Sequence, residues 1–135
     1  MVAWQKADRL ASLVYRACKM LPRGNDWLFS QTVRCAISVP ANLAEGHAKG
    51  SQAEFRRFVD IARGSLAELE YYLHFMENES LLDEGRLTAL KASQIETSKI
   101  VLGLWRSLKA SPKRAWDQGN RIAEQVEQSE IYSAI

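Results

Sequence analysis

The chain contains few of the residues that bind metals or form disulfides, with two cysteines and two histidines among 135 residues. Two thiols do not make a disulfide framework in a chain of this length. Cys18 and Cys35 lie within apolar helical patterns, so we expect both to be buried free thiols. A helical di-metal site needs Glu-x-x-His pairs on facing helices, whereas Glu70 and His74 are four residues apart. The sequence therefore predicts neither a metal centre nor a bound cofactor.

Long apolar segments are also absent. No apolar run approaches the ~20 residues that a membrane-spanning helix requires. Residues 1–6 lack the apolar core of a signal peptide. We therefore expect a soluble cytoplasmic protein without a membrane partner. Because no Gly-x-Gly-x-x-Gly motif and no phosphate-binding loop occurs, nothing indicates a small-molecule substrate.

The net charge of +2 is too small to indicate a nucleic-acid partner by itself. The charge is, however, unevenly distributed along the chain. Residues 1–35 hold six basic and two acidic residues, whereas residues 36–78 hold four basic and six acidic residues. The first helical segment is therefore the only one with a distinctly positive field.

Apolar residues recur at intervals of three and four along most of the chain, and no alternating strand pattern occurs. Pro22 and Gly24 end the first helix, and Pro40 is expected to kink the second helix without ending it. The sequence predicts an all-α fold, an up-down-up-down four-helix bundle in a single domain over residues 1–111. Residues 112–135 form a C-terminal tail, in which a short helix over about 121–129 is one alternative and a mobile segment is the other.

The third and fourth helices carry the clearest signals. Ser51 and Glu54 have the spacing of a capping box, and Asp83 is the predicted cap of the fourth helix. Gly64 weakens the third helix, which predicts the close approach of another backbone at that position. Seven residues of the fourth helix form a seam typical of packed helices: Leu87, Leu90, Gln94, Thr97, Val101, Leu104 and Leu108.

Basic residues gather on the side of the first helix that is opposite its apolar stripe. These candidate nucleic-acid-binding residues are Lys6, Arg9, Arg16, Lys19 and Arg23. One interpretation is an ordinary solvated face. The other is a surface that binds phosphates without discriminating between bases.

The second and third helices carry polar residues where a plain bundle would have leucine. We expect a hydrogen-bonded network that sets the register and orientation of these helices. An alternative is a small enzyme that uses Glu45 and Glu68 as acid and base, but pairing of these carboxylates with arginine is favoured. The predicted network comprises Gln31, Ser38, Asn42, Glu45, Arg63, Ser65 and Glu68.

The most distinctive stretch begins with Ser38-Val39-Pro40-Ala41-Asn42-Leu43-Ala44-Glu45-Gly46. It continues with Ser51, Glu54-Phe55, Phe58, Ile61-Ala62, Gly64-Ser65-Leu66, Glu68-Leu69-Glu70 and Leu73. This pattern resembles the four-helix-bundle family of 23S ribosomal RNA intervening-sequence proteins, which are encoded within insertions in bacterial large-subunit rRNA genes. The accessory proteins of diversity-generating retroelements are similar to them. The resemblance extends over roughly residues 5–110.

The resemblance implies an up-down bundle, a ring-shaped homopentamer and an RNA or ribonucleoprotein partner. It implies no catalytic residue. Surplus apolar surface on the third and fourth helices independently favours a homo-oligomer. The resulting prediction is a non-catalytic oligomeric protein that binds RNA through the basic face of the first helix. The alternative is a structural or protein-interaction module without a nucleic-acid role.

Overall fold

The computed structural model describes residues 1–108 and residue 121. Within that part of the chain there are four α-helices and no strand: α1 (Val2–Cys18), α2 (Asp26–Ala48), α3 (Gln52–Asn78) and α4 (Glu84–Leu108). Each helix packs against the next one, and α4 returns to pack against α1. The predicted all-α four-helix bundle is confirmed. Apart from residue 121, the predicted tail and its short helix lie outside the described residues.

The apolar spacing correctly identifies most of the core. All seven residues of the predicted α4 seam are buried, including the polar Gln94 and Thr97. Cys18 and Cys35 are buried free thiols, as expected. Trp27 and Ile61 are exceptions, since their spacing places them on the apolar sides of α2 and α3 but they are 55% and 42% exposed. Trp27 stands in the first turn of α2, where its ring meets the ring of Phe75 edge-on.

The ends of the helices match the sequence signals only in part. Asp83 caps α4 as predicted, because its Oδ2 accepts a hydrogen bond from the Arg86 amide at 3.0 Å. Ser51 Oγ accepts from the Glu54 amide at 3.2 Å, which is one half of a capping box. The other half is missing, since the Glu54 carboxylate instead binds Arg57 at 3.1 Å. Asn25 and Asp26 are both candidates from the sequence for the cap of α2, but Asn25 precedes the helix without a side-chain cap and donates instead to the carbonyl of Pro22 at 2.9 Å.

The close approach between α2 and α3 occurs at a different glycine from the one predicted. A Cβ on Gly64 would meet nothing within 4 Å, because this residue lies on the outer side of α3. A Cβ on Gly46 would lie 2.4 Å from Cβ of Phe58. Gly46 is therefore the residue that allows α2 and α3 to approach each other. Helix α2 runs through Pro40 without interruption.

Candidate nucleic-acid interface

The basic surface of α1 consists of Arg9, Arg16, Lys19 and Arg23, and all four side chains are exposed. Arg9 and Arg16 are exposed because the apolar residues of α1, such as Leu10 and Val14, turn toward the bundle core. Lys19 and Arg23 follow the end of α1 at Cys18. Arg9 and Arg16 are seven residues apart, which corresponds to two helical turns, or about 10.5 Å along the axis. Their charges therefore form a line along the outer side of the helix.

Lys6 differs from the other four predicted residues. It is half-buried, and its Nζ lies 2.6 Å from Oε1 of Glu96 on α4. The hydrogen bond from Lys6 lowers the pKa of Glu96 below its usual value, and the charge of Arg9 adds to this effect. Lys6 therefore connects α1 to α4, and its charge is offset by a carboxylate. We do not include it in the basic surface of α1.

The cations of this surface lack carboxylate partners among the described residues. Arg9, Arg16, Lys19 and Arg23 form no ion pair within that part of the chain, whereas the cations of α3 and α4 are often paired. Arg57, Arg63 and Arg86 each bind the carboxylate of the residue three positions earlier. Positive charge that is not neutralised internally remains available to attract an external anion.

Three residues of the predicted polar network meet at the contact between α2 and α3. The hydroxyls of Ser38 and Ser65 are 2.7 Å apart. Asn42 Nδ2 donates to the Ser38 carbonyl at 2.7 Å and lies 3.0 Å from the Ser38 hydroxyl. The Cys35 thiol donates to the carbonyl of Ser65 at 2.9 Å. These bonds join the middle of α2 to the middle of α3.

Three of the other four predicted members have different surroundings, whereas Glu68 lies near the Cys35 thiol and raises its pKa. Gln31 accepts a hydrogen bond from Arg34 in its own helix. Arg63 binds Asp60, and its guanidinium lies 3.9 Å from the ring centroid of Trp105 on α4. Glu68 accepts from the Tyr72 hydroxyl at 2.6 Å. Since Glu45 lies exposed on α2, the seven residues do not form one network.

Sequence reasoning missed two polar contributions to the packing. Tyr72 bonds to Glu68, and the spacing of four residues was a signal that could have revealed this pair. Gln94 was assigned to an apolar seam, but its Nε2 donates to the carbonyl of Leu66 on α3 at 3.0 Å. A buried amide within a heptad seam is itself a sign of such a cross-helix bond.

The two cysteines and Tyr72 all have raised pKa values, which favour their protonated forms. Burial raises the pKa of the Cys18 thiol to about 11. Burial, followed by the charge of Glu68, raises the pKa of the Cys35 thiol to about 12. The hydrogen bond to Glu68 raises the pKa of Tyr72 to about 12. Neither cysteine is therefore an activated thiolate at neutral pH.

Two further findings concern metals and membranes. No group of three or more His, Cys, Asp or Glu side chains lies close enough to hold a metal ion in the described part of the chain. Among the helices described, none has both the length and the apolar character needed to cross a bilayer.

Comparison with known proteins supports the resemblance found in the sequence. The model of the family described as "23S rRNA-intervening sequence protein" matches residues 1–103, which covers α1 to α3 and most of α4. None of the curated proteins compared with the chain matches it. The matched range includes the whole basic surface of α1 and the polar cluster of α2 and α3.

Proposed function

Because the chain belongs to the 23S rRNA-intervening sequence protein family, we propose that it is a non-catalytic homopentamer that binds RNA or a ribonucleoprotein. The observation that carries RNA binding is the contrast in ion pairing. Three arginines of α3 and α4 (Arg57, Arg63 and Arg86) pair with carboxylates of their own segment, whereas the four cations of the α1 basic surface form no ion pair within the described residues. The ligand-binding surface in this proposal is α1, and the groups it recognises are phosphates.

A surface of this kind binds phosphate charge without reading bases, so its affinity depends on salt. Four exposed cations per chain give only a weak attraction. In a ring of identical subunits the same surface is repeated around the symmetry axis, and a structured RNA that contacts several copies gains avidity. Assembly and RNA binding are therefore linked in this proposal.

Self-association is supported by the outer side of α2 and α3, which we call the α2–α3 surface and define by Ile37, Ile61 and Gly64. Ile37 is 50% exposed and Ile61 is 42% exposed. Ser38 and Ser65 follow Ile37 and Gly64 directly and are hydrogen-bonded to each other, so the helices touch at this level. Phe29, Val33 and Ile37 also line a shallow concavity along α2. We propose that another copy of the chain covers this surface.

RNA binding is tested by fluorescence anisotropy with a structured rRNA fragment at low and at higher salt. We expect affinity to fall steeply with salt. Replacing three cations, Arg9→Gln, Arg16→Gln and Lys19→Gln, should weaken binding about tenfold or more. The same variant should also reduce the magnitude of the slope of log binding constant against log salt concentration by about two to three, because up to three phosphate contacts are lost.

The matched control removes the same amount of charge from another part of the bundle. The variant with Arg56→Gln, Arg57→Gln and Arg86→Gln should retain near-normal affinity, since these residues lie on α3 and α4. Equal losses in the two triple variants would contradict a specific α1 surface. No binding by the unmodified protein at low salt would instead favour a protein-interaction module, for which the apolar α2–α3 surface would be the contact.

A further inference from the structure

Tyr15 is an exposed aromatic side chain next to the α1 basic surface. It is 43% exposed and precedes Arg16 directly. Its ring packs against Phe29 of α2, with the centroids 6.2 Å apart and the planes tilted by 55°. The Nζ atom of Lys19 lies 4.3 Å from the ring centroid. The ring is therefore held in place by α2 while much of its surface remains open to solvent.

An aromatic ring among unpaired cations has a specific use in RNA recognition. Proteins that bind single strands combine a basic groove for the backbone with aromatic faces on which bases stack. In an A-form duplex the bases are stacked on each other, and a side chain on a helix surface meets mainly phosphates and 2′-hydroxyls. Tyr15 would contribute little to duplex binding and substantially to the binding of an unpaired strand.

We propose that the α1 basic surface binds an unpaired RNA segment, with one nucleobase stacked on Tyr15 and adjacent phosphates bound by Arg16 and Lys19. This inference rests on the proposed RNA binding and adds the class of RNA that is preferred. On binding, the Lys19 ammonium moves from the tyrosine ring to a phosphate. The exchange is favourable because a stacked base contributes more than an exposed cation–π contact.

The test compares an unstructured RNA strand of about 12 nucleotides, a length within the range of single-strand binding sites, with its perfect duplex. Affinities of the full-length protein are measured by fluorescence anisotropy. Tyr15→Leu removes the aromatic ring and should weaken binding of the single strand about tenfold. It should change duplex binding by less than about twofold, since phosphate contacts remain. Tyr15→Phe retains the ring and should bind both RNAs like the unmodified protein.

Failure of this inference is distinguishable from failure of RNA binding itself. If Tyr15→Leu binds the single strand normally while the Arg9, Arg16 and Lys19 triple variant does not, stacking is overturned and RNA binding stands. If the unmodified protein binds neither RNA at low salt, both proposals are overturned.

Two further measurements complete the test. Sedimentation of Tyr15→Leu must give the mass of the unmodified protein. A lower mass would mean that Tyr15 faces another copy of the chain, which also overturns stacking. Circular dichroism checks the fold, and Tyr15→Gln provides a second variant without the ring if the leucine variant unfolds.

Discussion

Thr32 shows how one buried atom affects the stability of the bundle. Its side chain is fully buried in α2, and its hydroxyl has no hydrogen-bond partner among the described residues. A buried unsatisfied hydroxyl costs about 1–3 kcal/mol. We expect Thr32→Val, which replaces that hydroxyl by a methyl group, to raise the free energy of unfolding by about 1 kcal/mol. Urea denaturation at a fixed protein concentration measures this change.

The matched control for this prediction is the same substitution at Thr97. This threonine is equally buried, but its Oγ1 donates to the Ser93 carbonyl at 2.8 Å. Thr97→Val removes an existing bond and should lower the free energy of unfolding by about 0.5–1.5 kcal/mol. If Thr32→Val also lowers the free energy of unfolding, the hydroxyl of Thr32 has a hydrogen-bond partner in solution.

Burial was more predictable for individual residues than hydrogen bonding was. Helical spacing identified the buried thiols of Cys18 and Cys35 because periodicity reports directly which side of a helix faces the core. The partner of Arg63 was not predictable in this way. Its guanidinium contacts both Asp60 in its own helix and the ring of Trp105 on α4. The contact with Trp105 depends on how α4 packs against α3, which the spacing of residues within α3 does not show.

At the scale of helices, the contact between α2 and α3 depends on Gly46. An alanine there would place Cβ 2.4 Å from Cβ of Phe58, which is fixed to the backbone and cannot rotate away. Overpacking of this kind typically costs 1–3 kcal/mol, roughly 1 kcal/mol of which alanine recovers through helix propensity. We expect Gly46→Ala to lower the free energy of unfolding by up to about 2 kcal/mol in urea denaturation.

Gly103 provides the control at this scale. It also lies inside a helix, but a Cβ there meets nothing within 4 Å. Gly103→Ala should therefore raise the free energy of unfolding by up to about 1 kcal/mol through helix propensity alone. A stabilising effect of Gly46→Ala, similar to that of Gly103→Ala, would show that the two helices lie further apart in solution.

Sequence patterns located the helices well and their contacts less well. The existence of all four helices followed from periodicity and from breaks such as Pro22, which are local properties of the chain. The choice between Gly46 and Gly64 as the point of close approach was not local. Both glycines lie within helices, but only the rotation of α2 against α3 decides which one faces a neighbour.

At the scale of the whole molecule, polar contacts close the bundle. Lys6 on α1 pairs with Glu96 on α4, and Gln94 on α4 bonds to the Leu66 carbonyl on α3. The first contact joins the first and last helices, and the second joins residues 28 positions apart on consecutive helices, so no local pattern revealed either of them. The family resemblance, in contrast, was recognisable because its residues lie mainly within one stretch of α2 and α3. The candidate RNA surface was predicted as five cations, of which Lys6 is neutralised in the structure.

The proposed assembly can be tested on the α2–α3 surface with a charge substitution. Ile37→Lys places an ammonium in the middle of that surface, where burial between subunits would be costly. Analytical ultracentrifugation should show five subunits for the unmodified protein and a smaller species for Ile37→Lys. Circular dichroism should show the same helical content in both, because Ile37 is 50% exposed within one chain.

Ile61→Lys, on the same surface, should give the same dissociation. Met20→Lys is the matched control: Met20 is 56% exposed at the end of α1, near the surface that the proposal leaves free for RNA. This variant should remain assembled. A monomeric unmodified protein at high concentration would contradict self-association. Dissociation by Met20→Lys but not by Ile37→Lys would instead locate the subunit contact at α1, and the α1 basic surface would then be unavailable to RNA.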